Sequence, residues 1–166
     1  MKKNEQFKKF LRSILAFVLM LSETVVFAHA WITEYNSDIV VPFVQKGNWF
    51  FYLVYFILSA IFLNSFDGLK YGTYRKTNLI TAQILAALST AVVVYLQIVL
   101  LAAKFVTVLP IIGMLFADVI IILIVTFGGN FLLQKLFPAR KTIIVYDSYH
   151  PEAFIEKARQ RKDKFV

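Results

Sequence analysis

Four stretches of this chain are long and apolar enough to constrain its fold before anything else is considered. They run from about Leu11 to Ile32, Trp49 to Phe66, Leu79 to Ala103 and Val108 to Leu133. A bilayer is crossed by roughly 20 mostly apolar residues in a helix, because only a helix satisfies its own backbone groups in hydrocarbon. The whole chain is 59% hydrophobic, against about 45–50% apolar for an ordinary soluble domain. The second stretch, WFFYLVYFILSAIFLNSF, is the shortest, and its 18 residues cover about 27 Å as a helix, enough for a thin bilayer or an upright helix. Trp49, Tyr52 and Phe66 lie towards its ends, where amphipathic rings settle at the interface.

The cations give these spans a direction. The N-terminal segment holds Lys2, Lys3, Lys8, Lys9 and Arg12, and the connection between spans two and three holds Lys70, Arg75 and Lys76. The segment after span four holds Lys135, Arg140, Lys141, Lys157, Arg159, Arg161, Lys162 and Lys164. Sixteen of the 18 Lys and Arg thus fall on one side, and only Lys46 and Lys104 on the other. Cytoplasmic loops carry the excess of basic residues, so both termini are expected in the cytoplasm. The net charge of +8 then reads as topology and contact with anionic lipid rather than nucleic-acid binding. Residues 1–31 also have the outline of a cleavable signal peptide, ending at Ala28-His29-Ala30. Ser22, Glu23 and Thr24 interrupt its apolar run, and the span is long enough to cross, so an uncleaved helix is expected.

Glu23 near the middle of span one and Asp118 near the middle of span four come out at similar depth. Ionised carboxylates there are costly, so they should face the bundle interior, be protonated, or both. They read either as a proton- or substrate-linked site or as neutral acids hydrogen-bonding between helices. Gln83, Thr90 and Gln97 recur every seven residues along span three, about two helical turns, and so share one stripe. That stripe is expected to be a seam hydrogen-bonded across to neighbouring helices. Pro110 suits the start of span four, and Gly128-Gly129 suits either a close helix approach or a break before the tail. The chain has no cysteine, and its two histidines, His29 and His150, are far apart, which excludes thiolate sites and disfavours histidine metal sites.

The connection FDGLKYGTYRKTNL suits the headgroup layer, with Gly68 and Gly72 in turns, Tyr71 and Tyr74 among the headgroups, and Tyr74, Arg75 and Lys76 as candidate contacts to lipid phosphate. The tail reads as a buried strand from Thr142 to Tyr146, a loop, a helix from about Pro151 to Arg159, and a new strand beginning at Phe165. The loop Asp147-Ser148-Tyr149-His150 lacks the glycines of a dinucleotide site. A lone strand–helix–strand piece cannot cover both faces of a sheet and is expected to be unstable alone.

Four spans, the YGTYR connection, GGNFLLQKLFPARKTIIVYD leading out of span four and the closing EKARQRKDKF resemble the N-terminal half of bacterial polyprenyl-phosphate sugar-1-phosphate transferases. Those membrane enzymes begin capsular and exopolysaccharide synthesis by moving a hexose 1-phosphate from a UDP-sugar to undecaprenyl phosphate with Mg²⁺. The resemblance implies that a catalytic domain with an Asp-Glu pair follows in a longer enzyme, a split gene or a separate partner. None of its catalytic motifs occurs here, so the resemblance carries over no catalytic, cofactor or metal-binding residue, and Mg²⁺ is implied only for the absent catalytic domain.

The expected architecture is therefore an all-α membrane protein in the bacterial cytoplasmic membrane. Residues 1–10 form a basic cytoplasmic N-terminus, 11–134 a four-helix transmembrane bundle, and 135–166 an incomplete Rossmann-like βαβ tail. The expected role is the membrane-anchoring and assembly module of such a transferase. Its partners would be anionic lipid and a catalytic sugar-transferase domain, with self-association left open. The competing readings are a small four-span carrier or flippase-type protein for lipid-linked sugars, using Glu23, Asp118 and the Gln83/Thr90/Gln97 stripe, and a plain membrane scaffold.

Overall fold

The computed structural model describes residues 2–72 and 75–137, and every element among them is helical. Helix α1 is Lys2–Ala30, continued by a π-helical turn over Trp31–Tyr35. Helices α2, α3 and α4 are Lys46–Ser65, Lys76–Ala102 and Leu109–Leu136. All four are long and apolar enough to cross a membrane, which makes this a multi-pass membrane protein. The expected strand and helix after Arg140 lie outside the described residues.

Each expected span matches an observed helix, with Phe66, Ala103 and Val108 just outside theirs, and the helices run further into the flanking polar residues. The basic N-terminus, expected as a separate segment, is helical from Lys2 and continuous with the span. No glycine or proline interrupts residues 1–30, and Lys, Glu, Gln and Leu all favour helix.

Consecutive helices run antiparallel and pack as a ring, α1 on α2, α2 on α3, α3 on α4 and α4 back on α1. Buried positions recur at three- and four-residue steps, as in Leu19, Glu23, Phe27 and Trp31 of α1 or Met114, Asp118, Ile122 and Thr126 of α4. That periodicity is the seam of a helical bundle. The outward faces carry Phe17, Val25, Ile57, Val92, Phe116 and Ile124, all exposed, a surface suited to lipid and not to water.

The two ends of the bundle are closed differently. At the distal end, remote from the termini, Tyr35 donates to the Thr107 carbonyl at 2.8 Å and Tyr95 to that of Val106 at 2.9 Å. There Trp31 Nε1 donates to Asn48 Oδ1 at 2.8 Å, and Lys104 pairs with Asp38. Beneath them Phe27 stacks on Tyr55 with ring centroids 4.3 Å apart, and Trp31 packs on Phe51 at the same separation. At the terminal end, α2 stops in a Schellman motif: Gly68 N–H donates to the Leu63 carbonyl at 2.8 Å and Asp67 N–H to that of Asn64. The left-handed position is Asp67 (φ 63°), not a glycine. Gly68 is needed for space, since a Cβ there would lie 2.9 Å from Leu63 Cδ2 and 3.3 Å from Gln83 Cγ.

Helix α4 passes through Gly128-Gly129 unbroken, so of the two expected roles the close helix approach is the one present. Gly129 lets α1 approach, because a Cβ on it would stand 2.9 Å from Leu15 Cδ1. Gly128 faces open space.

Candidate functional site

The polar residues inside the bundle form two separate groups. The first lies near the terminal end and centres on Gln83 of α3, which is fully buried. Its Nε2 donates to the Gly68 carbonyl and to the Tyr71 hydroxyl, both at 2.9 Å, and its Oε1 accepts from Thr126 Oγ1 at 2.6 Å. One amide therefore ties α3 to α4 and to the turn after α2. Asn130, a turn further along α4, donates back to the Thr126 carbonyl. The Tyr71 hydroxyl, in the turn between α2 and α3, is pushed up to about 12 because burial disfavours the phenolate, partly offset by the hydrogen bond from Gln83.

The second group lies at mid-bundle. Leu19, Leu63, Ala86, Ala87 and Ile122 form an apolar layer on its terminal side. Phe27, Tyr55, Ala91, Val94 and Met114 belong to the larger apolar cluster on its distal side. Between them, each helix contributes one buried oxygen-bearing side chain: Glu23, Ser59, Thr90 and Asp118. Ser59 Oγ donates to Glu23 Oε2 at 2.8 Å. Tyr55, one turn from Ser59, lies close enough to both carboxyls to interact with them electrostatically, as they do with each other.

This group is under-partnered. Glu23 Oε1, both carboxyl oxygens of Asp118 and the Tyr55 hydroxyl are buried without a hydrogen bond to protein. Native proteins leave few buried polar atoms in this condition, and such atoms mark sites more often than ordinary packing.

The structure thus splits the expected α3 stripe into three behaviours. Gln83 bonds across helices as anticipated. Thr90 does not: its hydroxyl turns back to the Ala86 carbonyl at 2.9 Å, an option open to any helical threonine. Gln97, half-buried nearer the distal end, leaves Oε1 without a partner. Of the candidate phosphate contacts, Tyr74 is outside the described residues. Arg75 is exposed and sits just before α3 with extended backbone. Lys76 opens the helix with its Nζ 6.0 Å from the Phe127 ring centre. Sequence reasoning missed Tyr55, Ser59 and Thr126, since a lone hydroxyl in an apolar run gives no sign of which way it faces, and Tyr71, expected in the headgroup layer, is instead fully buried against Gln83. It also missed Arg12, whose guanidinium Nη2 comes within 3.5 Å of the space beside Gly72.

Among the described residues no three His, Asp or Glu side chains gather as they would around a metal ion. No family model, curated protein or solved structure matches the chain.

Proposed function

We propose that this chain is the membrane-anchoring and assembly module of an undecaprenyl-phosphate hexose-1-phosphate transferase, with the chemistry carried by a separate catalytic domain. The observation that supports it best is the closure of the bundle. The mid-bundle acids lie between two apolar layers, and hydrogen-bonded turns cap both ends. A sealed interior with an apolar exterior suits an anchor better than an open conduit. Lys70, Arg75 and Lys76 at the terminal end, against Lys46 and Lys104 at the distal end, favour a cytoplasmic terminal end, where such a domain and anionic lipid would be met.

Activity tests this reading. The purified chain, given Mg²⁺, undecaprenyl phosphate and a panel of UDP-sugars, should release no UMP. Co-expression or fusion with a catalytic domain of that class should give turnover, and Arg75→Ala should weaken association without adding or removing chemistry. UMP release by the chain alone would overturn the assignment. Orientation is open to a direct check because the chain has no cysteine. In intact cells an impermeant thiol reagent should label Ser37→Cys and spare Thr73→Cys.

A second reading, a four-span carrier for lipid-linked sugars, draws support from the unpartnered carboxyl oxygens of Glu23 and Asp118. Loss of proton-dependent transport in proteoliposomes on Asp118→Asn would favour it over the anchor.

A further inference from the structure

The mid-bundle layer has the donors of a cation site. Its side chains offer only carboxyl and hydroxyl oxygens: Glu23, Asp118, Ser59 and Thr90, with Tyr55 beside them. Such hard donors suit alkali and alkaline-earth ions and not soft metals. Four of these oxygen atoms are buried and make no hydrogen bond to protein, namely Glu23 Oε1, the two of Asp118 and the Tyr55 hydroxyl. The hydroxyl of Tyr55, a residue 1% exposed and one helical turn from the Ser59 that bonds Glu23, is a second unpartnered group.

Charge decides what the partner is. The titratable groups facing the layer are Glu23 from α1, Tyr55 from α2 and Asp118 from α4, while α3 offers only Thr90. No Lys, Arg or His joins them. Arg12 lies eleven residues before Glu23, about 16 Å along the helix, and His29 is exposed on the outer face of α1. If the two carboxyls share one proton, the layer carries a single negative charge, and one monovalent cation neutralises it. A divalent ion would leave that layer with a net positive charge.

We propose that Glu23, Asp118 and the hydroxyls of Tyr55 and Ser59 bind one monovalent metal cation, for which sodium is the probe. Sodium replaces one of the two protons of the neutral carboxyl pair, which keeps the other as a shared proton and leaves the layer neutral, so sodium and protons compete. This inference stands on the layer itself and does not rest on the anchor reading.

The test uses the full chain in lipid nanodiscs and dicyclohexylcarbodiimide, an apolar reagent that attacks protonated buried carboxyls. Labelling is followed by intact mass, with choline chloride balancing ionic strength. Sodium at about ten times its dissociation constant should slow labelling by about tenfold, as mass action requires. The protection should weaken as pH falls, disappear in Asp118→Asn and diminish in Tyr55→Phe, whose unfolding temperature without sodium should match the parent's. Radioactive sodium should bind saturably, at about one ion per chain for a single site. If Asp118→Asn does not fold, the binding isotherm and Tyr55→Phe decide. Labelling that follows pH alone and is equal in sodium, lithium, potassium and choline would overturn the proposal. So would undiminished protection in Asp118→Asn, or the absence of saturable sodium binding.

Discussion

The Gln83 cluster and the mid-bundle acids occupy the same bundle, are equally buried and differ in one respect. The Gln83 amide uses three hydrogen bonds, two to the turn after α2 and one to α4, whereas Asp118 uses none. A satisfied buried network fixes the arrangement of its neighbours, while an unsatisfied one destabilises the fold that holds it. Burial alone therefore says little about a polar residue in a membrane bundle, and the state of its partners says more. Gln83 reads as a structural clamp, and Asp118 as a group kept at a cost to stability.

The comparison breaks most readily at Gln83. Gln83→Leu strands the Gly68 carbonyl and the Tyr71 and Thr126 hydroxyls, and should lower stability by about 2–4 kcal/mol, read from reversible unfolding in bicelles. A loss below about 0.5 kcal/mol, the scale of an inert surface change, would mean that it clamps nothing. Asp118→Leu should act in the opposite direction in sodium-free buffer, raising stability by about 1–3 kcal/mol because it removes an unpartnered buried carboxyl. Destabilisation by that substitution would show that Asp118 has a structural partner.

The adjacent glycines make a smaller control. Gly129→Val meets Leu15 and should cost about 1–3 kcal/mol, while Gly128→Val, facing open space, should stay within about 0.5 kcal/mol. Equal effects would remove the close α1–α4 approach from the account. The effect of Tyr71 is confined to high pH. Its hydroxyl stands at about 12 in the folded chain against an ordinary 10.0. The stability this represents is complete below pH 10 and is lost as pH rises towards 12, because the unfolded chain ionises first. The ultraviolet titration of the parent should contain one late tyrosine that is missing from Tyr71→Phe, and Gln83→Leu should displace it.

Much of the fold was legible because a bilayer demands long apolar helices, and their number and limits follow from composition. Burial of Glu23 and Asp118 was legible for the same reason, since charge is excluded from lipid. Their partners were not. The seven-residue spacing of Gln83, Thr90 and Gln97 gives a shared face but not what lies opposite. Thr90 could return to its own helix, and Gln83 found Thr126 only because α4 happens to bring it to that level. Likewise, FDGLKYG reads as a turn, but only the folded chain shows the left-handed residue to be Asp67 and Gly68 to be required by packing.

Helix α2 has 20 residues, whereas α3 and α4 have 27 and 28. At 1.5 Å per residue that is about 30 Å beside about 40 Å. An upright α2 just spans a hydrocarbon core of about 30 Å, so its longer neighbours must lean or lipid beside them must thicken, and either response costs fractions of a kcal/mol for each ångström of mismatch. The protein thus carries an uneven collar of lipid, more pinched along one side. In bilayers of longer acyl chains that strain grows chiefly along α2, which makes membrane thickness a variable to which this bundle responds.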